Sequence, residues 1–299
     1  MKHRLPARRG PLTALIVLVA TMTAPSCRSG SDRNLDPVPT AGAGGAAAEP
    51  EPRAPTTVAS GLTAEQRLRA DRLINIFEHG TTEFRYGSAE VLSDGRGITF
   101  GRAGFTTRTG DGHEVIERYT AAKPENPLAR YRPRLEVLAR EESGSTDGLE
   151  GFLEAVHQAA GDPLFRQAQD RLQEELYYQP AARRGDALGL KTALARAAIY
   201  DALVMHGGGD DPDGLPALLE RTRAEVGGTP ATGVDEAAWL AAFLRVRRAD
   251  LAHAANPQTR AVWARSVGRV DVWRSLADQG NWDLHGPIVL RGEYAAVIP

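Results

Sequence analysis

The chain has 299 residues, 42% hydrophobic and 25% charged, enough apolar material to bury a large core in one folded domain, whole or in two lobes. Its 36 Lys and Arg against 38 Asp and Glu give a net charge of −2; removing residues 1–26 takes away four basic residues and no acid, leaving 32 against 38. That acidity argues against nucleic acid as a partner and suits a cationic polymer, and the single cysteine excludes an internal disulfide framework.

Residues 1–26 place Lys2, Arg4, Arg8 and Arg9 ahead of the apolar run LTALIVLVATMTA, too short for an ordinary transmembrane helix, and read as an export signal. The chain is therefore expected outside the cytoplasm: extracellular, at the cell surface or in the periplasm. Cys27 follows the small residues Ala24 and Ser26, with Ala24 where a lipoprotein signal usually has leucine. Two outcomes stay open: lipid attachment at Cys27, anchoring the chain to a membrane, or cleavage nearby with Cys27 in or lost from a loose tail. Residues 27–60 are rich in Pro, Gly, Ala and Ser and cannot recover their ordering entropy by burial, so they read as a flexible tether. The folded domain spans 61–299.

Thr63 and Gln66 match a capping box, and Leu68, Leu73, Ile74, Ile76 and Phe77 supply an apolar face, so a helix is expected to about His79, stopped by Gly80. Glu78 falls in its last turn, where the helix dipole disfavours a negative charge and raises the carboxyl's hold on its proton. The runs AEVL and ITFGRAGFTT flank SDGRG, a hairpin signal with Asp94 at the exposed tip. A second helix is expected from Asp111, with Glu114 three residues on.

The remainder reads as helix after helix: LARYRPRLEVLAR, DGLEGFLEAVHQAA, and LFRQAQDRLQEELYY behind an Asp162-Pro163 start. ALGLKTALARAAIYDALVMHG is apolar on nearly all sides and predicts a buried central helix. DEAAWLAAFLRVRRADLAHAA and RAVWARSVGRVDVWRSLADQG add two more, and IVLRGEYAAVI is extended. The fold class is α+β, predominantly α-helical, with a small antiparallel sheet. Asp201 lies inside the apolar central helix and requires a partner; Arg247 of FLRVRR is the candidate, and a structural ion pair is favoured over catalysis.

There is no P-loop, HExxH, paired cysteines or G-x-S-x-G elbow. HGGGDDPDG matches only part of a calcium loop and reads as solvated. An acid on a helix end, Glu78, and an acid in a sheet turn, Asp94, suit a glycosidase, although alone they are also ordinary surface features.

DGRGITFGRAGF, with the upstream FE, TGD, FRQAQ, YYQPA, YDALVMHG and NWDL in that order, resembles the family 46 glycoside hydrolases, the endo-chitosanases, over about residues 62–299. The resemblance implies a lysozyme-like two-lobed fold and inverting cleavage of internal β-1,4 bonds in chitosan or glucosamine oligosaccharides, with no metal or cofactor, by a monomer. It implies Glu78 as general acid, Asp94 as general base, and Thr99 as the residue that helps hold the attacking water. It implies substrate contacts at Arg96, Asp111, Tyr177 and His206, and it agrees with the Asp201–Arg247 pair. Without it, Arg96 is a surface arginine or a group that keeps Asp94 ionised, Asp111 a helix cap, and Tyr177 and His206 packing and loop residues. Ser88 stands where many members have an aromatic, and ADLAHAANPQTR has no clear counterpart of a family acidic contact. The rival readings are a lysozyme-like hydrolase of peptidoglycan or chitin, and a non-catalytic surface lipoprotein that binds glucosamine polymers.

Overall fold

The computed structural model describes residues 61–91, 95–257 and 259–299. The export signal, Cys27, the tether and Asp94 lie outside the described residues. Helix α1 (Ala64–His79) begins at the expected capping box: Thr63 Oγ1 accepts from Gln66 N–H at 3.3 Å, and Gln66 Oε1 accepts from Thr63 N–H at 3.0 Å. Gly80 ends it at φ 67°, its N–H donating to the Ile76 carbonyl. Strands β1 (Ala89–Val91), β2 (Ile98–Phe100) and β3 (Phe105–Thr106) form an antiparallel sheet with β2 in the middle, Thr99 opposite Glu90 on one side and Thr106 on the other.

Helices α2 (Asp111–Ala122), α3 (Arg132–Arg140), α4 (Phe152–Ala159) and α5 (Pro163–Gln173) follow. Only the second half of DGLEGFLEAVHQAA is helical. Gly151 adopts φ 75°, a conformation that a helix cannot continue, and α4 starts at the next residue. The expected LFRQAQDRLQEELYY helix also changes winding: Glu174–Tyr178 is a π-helical turn that runs into α6 (Gln179–Leu188). Pro180 lacks an N–H and crowds the carbonyl four residues back, and local π winding absorbs that conflict.

The central helix α7 (Ala193–His206) is shorter than its apolar segment, because Gly189 closes α6 in the left-handed region and Thr192 caps α7 by accepting from Ala195 N–H at 3.3 Å. Beyond it come α8 (Leu215–Val226), α9 (Glu236–Ala252), α10 (Arg260–Trp263) and α11 (Val267–Asp278), then a hairpin of β4 (Ile288–Leu290) and β5 (Ala296–Ile298). RAVWARSVGRVDVWRSLADQG is thus two helices, broken by a 3-10 turn at Ala264–Ser266. The segment HGGGDDPDG is not merely solvated. Asp213 is buried, its carboxylate accepting from Ala255 N–H at 2.8 Å and Asn256 N–H at 3.0 Å, which staples the loop to the end of α9.

Two apolar clusters organise these elements. The larger gathers α1, α7, α8, α9, α11 and the β4–β5 hairpin around α7, whose side chains are almost all buried. The smaller packs Ile98, Phe100 and Phe105 of the sheet against α2 to α5. The α5–π–α6 segment belongs to both, with Phe165 and Leu172 in the smaller cluster and Ala181 in the larger, so its π turn lies at the junction. The fold is α+β and mainly helical. Among the described residues no helix is long and apolar enough to cross a membrane.

Gln169 of α5 is fully buried and joins three segments: its Oε1 accepts from Arg102 N–H at 2.9 Å and its Nε2 donates to the Tyr86 carbonyl at 3.0 Å. Gln169→Leu leaves both backbone groups unpaired at about 1–3 kcal/mol each. Urea unfolding should show a loss of about 2–4 kcal/mol; a loss below about 1 kcal/mol would mean that water replaces both bonds.

Candidate active site

The end of α1 carries the first wall of the site. Leu73, Ile74, Ile76 and Phe77 hold that end of the helix against the larger core, and Glu78 projects from it with its side chain about 10% exposed. Arg269 Nη1, fully buried on α11, lies 2.7 Å from Glu78 Oε1. Burial pushes the Glu78 carboxyl above its ordinary value of 4.5; Arg269 pulls the other way, and burial wins. The result is a carboxyl that keeps its proton more strongly than a surface glutamate and faces a fixed positive charge.

Arg269 is held from behind by Asp201, which is fully buried on α7. Asp201 Oδ1 accepts from Arg269 Nη2 at 2.6 Å, and Oδ2 accepts from Arg247 Nη1 at 2.5 Å and from Trp273 Nε1 at 2.8 Å. Burial opposes the charge on Asp201, but the two guanidiniums outweigh it and hold its carboxyl down at about 2. Arg247 Nη1 therefore stands where the sequence places Asp201's partner, and Arg269 and Trp273 complete the shell. Neither was singled out from the sequence. Their signal is nonetheless present: Arg269 and Trp273 are four residues apart on the helix face that carries Val270 and Leu276, and a charge on an apolar face calls for a buried partner.

The sheet side supplies the second wall. Thr99 sits in the central strand, 7% exposed, and its hydroxyl has no hydrogen-bond partner among the described residues. Arg96 is 8% exposed in the turn leading into β2. Asp111 opens α2, and its Oδ1 accepts from Thr106 N–H at 2.9 Å, Thr109 Oγ1 at 2.6 Å and Gly112 N–H at 2.8 Å. It ties the β3–α2 connection together. Burial raises the Asp111 carboxyl against the pull of these donors.

Tyr177, on the π turn, joins the walls. Its hydroxyl is pushed up first by burial, then by the negative fields of Asp111 and Glu78, with Arg96 opposing them. Tyr177 is thus within reach of the charges of Glu78, Arg96 and Asp111, which come from three other segments.

His206 is placed differently. Its side chain is fully buried at the end of α7, Nε2 accepting from Arg247 Nε at 3.2 Å and Nδ1–H donating to the Asp213 carbonyl at 2.9 Å. Burial, then Arg247, holds its imidazole neutral. The ring packs edge-on against Trp263, 5.0 Å between centroids, and borders a separate pocket with Asp211 and Asn256. Among the described residues no group of three or more His, Cys, Asp or Glu side chains is arranged to hold a metal ion. A carboxyl with a raised hold on its proton beside a fixed guanidinium suits Glu78 to proton donation.

A sequence profile of Glycosyl hydrolase family 46 matches residues 72–288. The chain is 54% identical over 236 residues to a chitosanase of Bacillus subtilis strain 168, covering 79% of this chain and 85% of that one. A solved chitosanase variant from Bacillus subtilis MY002, complexed with 6 GlcN, aligns at TM-score 0.73 and 53% identity over 80% of this chain and 100% of that one. The Gynuella sunshinyii chitosanase in complex with chitotetraose aligns at TM-score 0.71 and 51% identity, over 79% and 98%. The architecture is the lysozyme-like one of such structures.

The raised Glu78 carboxyl has a consequence for stability. A group that binds its proton more tightly when folded stabilises the fold fully below its unfolded value, here 4.5, and loses that contribution as pH rises through the folded value. Glu78→Gln keeps the neutral state at every pH. Its melting temperature relative to the wild-type chain should therefore climb as pH is raised from about 4 to 7. A difference that stays constant across that range would show that Glu78 is not raised.

Proposed function

The chain belongs to glycosyl hydrolase family 46, and from that membership we propose that it is an endo-acting chitosanase that cleaves β-1,4 bonds with inversion, Glu78 serving as general acid and Asp94 as general base. The observation that carries the reading is Glu78 itself: a nearly buried carboxyl with a raised hold on its proton, next to Arg269 and sharing a site with Tyr177, Asp111 and Arg96.

In the proposed reaction protonated Glu78 donates to the glycosidic oxygen as the bond to the anomeric carbon breaks. Asp94 takes a proton from a water that attacks the opposite face, and the Thr99 hydroxyl helps to hold that water. Inversion requires the two carboxyls to stand more than ~6.5 Å apart to admit the water. Glu78 becomes a carboxylate beside Arg269, which stabilises the charge left by proton transfer. Arg96 favours the ionised form of the neighbouring base. Glucosamine units carry ammonium groups at mildly acidic pH, and the acidic chain with Asp111 in the cleft attracts and orients them. The reading keeps His206, placed behind Arg247, among the substrate-binding residues. The same reading has the chain exported through residues 1–26, with Cys27 lipidated or left in or lost from the tail at cleavage.

Deacetylated chitosan, chitin and peptidoglycan glycan should be offered in parallel. Rapid loss of viscosity with chitosan alone is expected, and cleavage of either other polymer in preference would contradict the assignment. Glu78→Gln should lower kcat by about 10³-fold or more, since general acid catalysis and the poor leaving group act together. Proton NMR of fresh products from a glucosamine hexamer should show the α-anomer first; β-anomer first would overturn inversion.

A further inference from the structure

Gly144 lies in the loop after α3, in no element that carries a site residue, yet its backbone touches the turn that feeds β2. A Cβ at Gly144 would overlap the Gly95 carbonyl oxygen and come within 2.8 Å of the Gly95 carbonyl carbon and 3.3 Å of Gly97 N. These obstacles are backbone atoms, which cannot swing aside as a side chain can. Gly144 does not have a left-handed φ, so glycine is required there for space and not for conformation.

The residues just after β3 meet the same turn. Thr107 Oγ1 accepts from Ile98 N–H at 3.1 Å and fills the space a Cβ on Gly97 would need, and Arg108 Nη1 donates to the Gly95 carbonyl at 3.2 Å. Residues 95–97 are therefore held by contacts from both the Gly144 loop and residues 107–108. The loop is itself braced. Ser143 N–H donates to the Leu138 carbonyl at 2.9 Å, Ser145 N–H to Ser143 Oγ at 3.3 Å, and Asp147 N–H to Ser145 Oγ at 3.1 Å. Glu142, just upstream, is one of two non-glycine residues with positive φ among the described residues, at 47°.

We propose that Gly144 is a positioning residue for glycoside cleavage: its bare Cα, together with Arg108, seats residues 95–97 and so fixes Arg96 and the point from which the chain continues to Asp94. The proposal rests on the chitosanase reading. A displaced turn carries Arg96 with it, whereas Asp111 and Tyr177 keep their places on α2 and the π turn. Turnover should suffer more than substrate binding, because a shift of about 1 Å in a reacting group costs on the order of 100-fold.

The test is steady-state kinetics on a glucosamine hexamer for the wild-type chain and for Gly144→Ala, Arg108→Ala and Arg108→Lys, each with its melting temperature. Gly144→Ala should lower kcat by about 10- to 100-fold with KM changed less than about threefold. Arg108→Ala, which adds no atoms, should lower kcat by about 3- to 10-fold, and Arg108→Lys, which keeps a donor near the Gly95 carbonyl, should recover most of it. Wild-type kcat in Gly144→Ala, or a fall in kcat matched by equal changes in KM and a collapse of melting temperature, would overturn the proposal. If Gly144→Ala does not fold, the arginine pair decides: equal kcat in both Arg108 variants overturns it. An inactive wild-type chain would instead contradict the chitosanase reading on which it rests.

Discussion

The structure depends on one buried charge. Asp201 lies on the central helix with no exposed surface, and an unpaired carboxylate there would cost several kcal/mol. Satisfying it brings Arg247 from α9 and Arg269 and Trp273 from α11 to the same point, which fixes how three helices meet. Arg269 has a second nitrogen left over, and that nitrogen meets Glu78 at the end of α1. The position of the proposed acid is thus a by-product of neutralising Asp201. Charge balance follows the chemistry as well. With Glu78 protonated, the two arginines outnumber the one carboxylate; once Glu78 has given up its proton, two positive charges face two negative ones. Burial raises the Glu78 carboxyl's hold on its proton, and in the proposed reaction Arg269 accommodates the charge left behind.

A second polar layer, where the two apolar clusters meet, keeps the walls in register. Arg102, at the β2–β3 turn, pairs with Asp170 of α5, lies 3.6 Å from Asp71 of α1 and stacks over the Phe84 ring at 4.0 Å. Arg67 of α1 sits over the Tyr178 ring, 3.6 Å from its centroid, and pairs with Asp71 and Glu174. These contacts link α1, which carries Glu78, to the sheet and to the π turn, which carries Tyr177. Burial of both guanidiniums makes their geometry far less adjustable than that of surface pairs, which contribute only about 0–1 kcal/mol. The placing of Glu78 and of the π turn thus depends on two groups of paired charge, one around Asp201 and one around Asp71.

How much of this could be read from the sequence follows from the range of each signal. The capping box at Thr63, the stop at Gly80 and the β1–β2 hairpin around DGRG are set by residues close in sequence, so a short window reads them. Asp201 and Arg247 were legible because a charge within an apolar helix cannot go unpaired. Arg269 carried the same kind of signal but lay in a helix broken by a 3-10 turn, where its face is hard to follow. The π turn at 174–178 arises from a proline two residues beyond it, and a 3.6-residue period cannot register a single widened turn. Asp213 looked solvated because its partners, the backbone N–H groups of Ala255 and Asn256, are more than 40 residues away. Gly144 gave no sequence signal, since what excludes a side chain there is another glycine's carbonyl.

The central claim is that burial, outweighing Arg269, raises the Glu78 carboxyl above its ordinary value, the direction the proposed proton donor needs. A carbon-13 NMR titration of the glutamate carboxyls, with the Glu78 resonance assigned by its loss in Glu78→Gln, measures this directly. The account predicts a midpoint above the ordinary 4.5 that coincides with the alkaline limb of kcat/KM on chitosan. A Glu78 midpoint at or below 4.5 would contradict it.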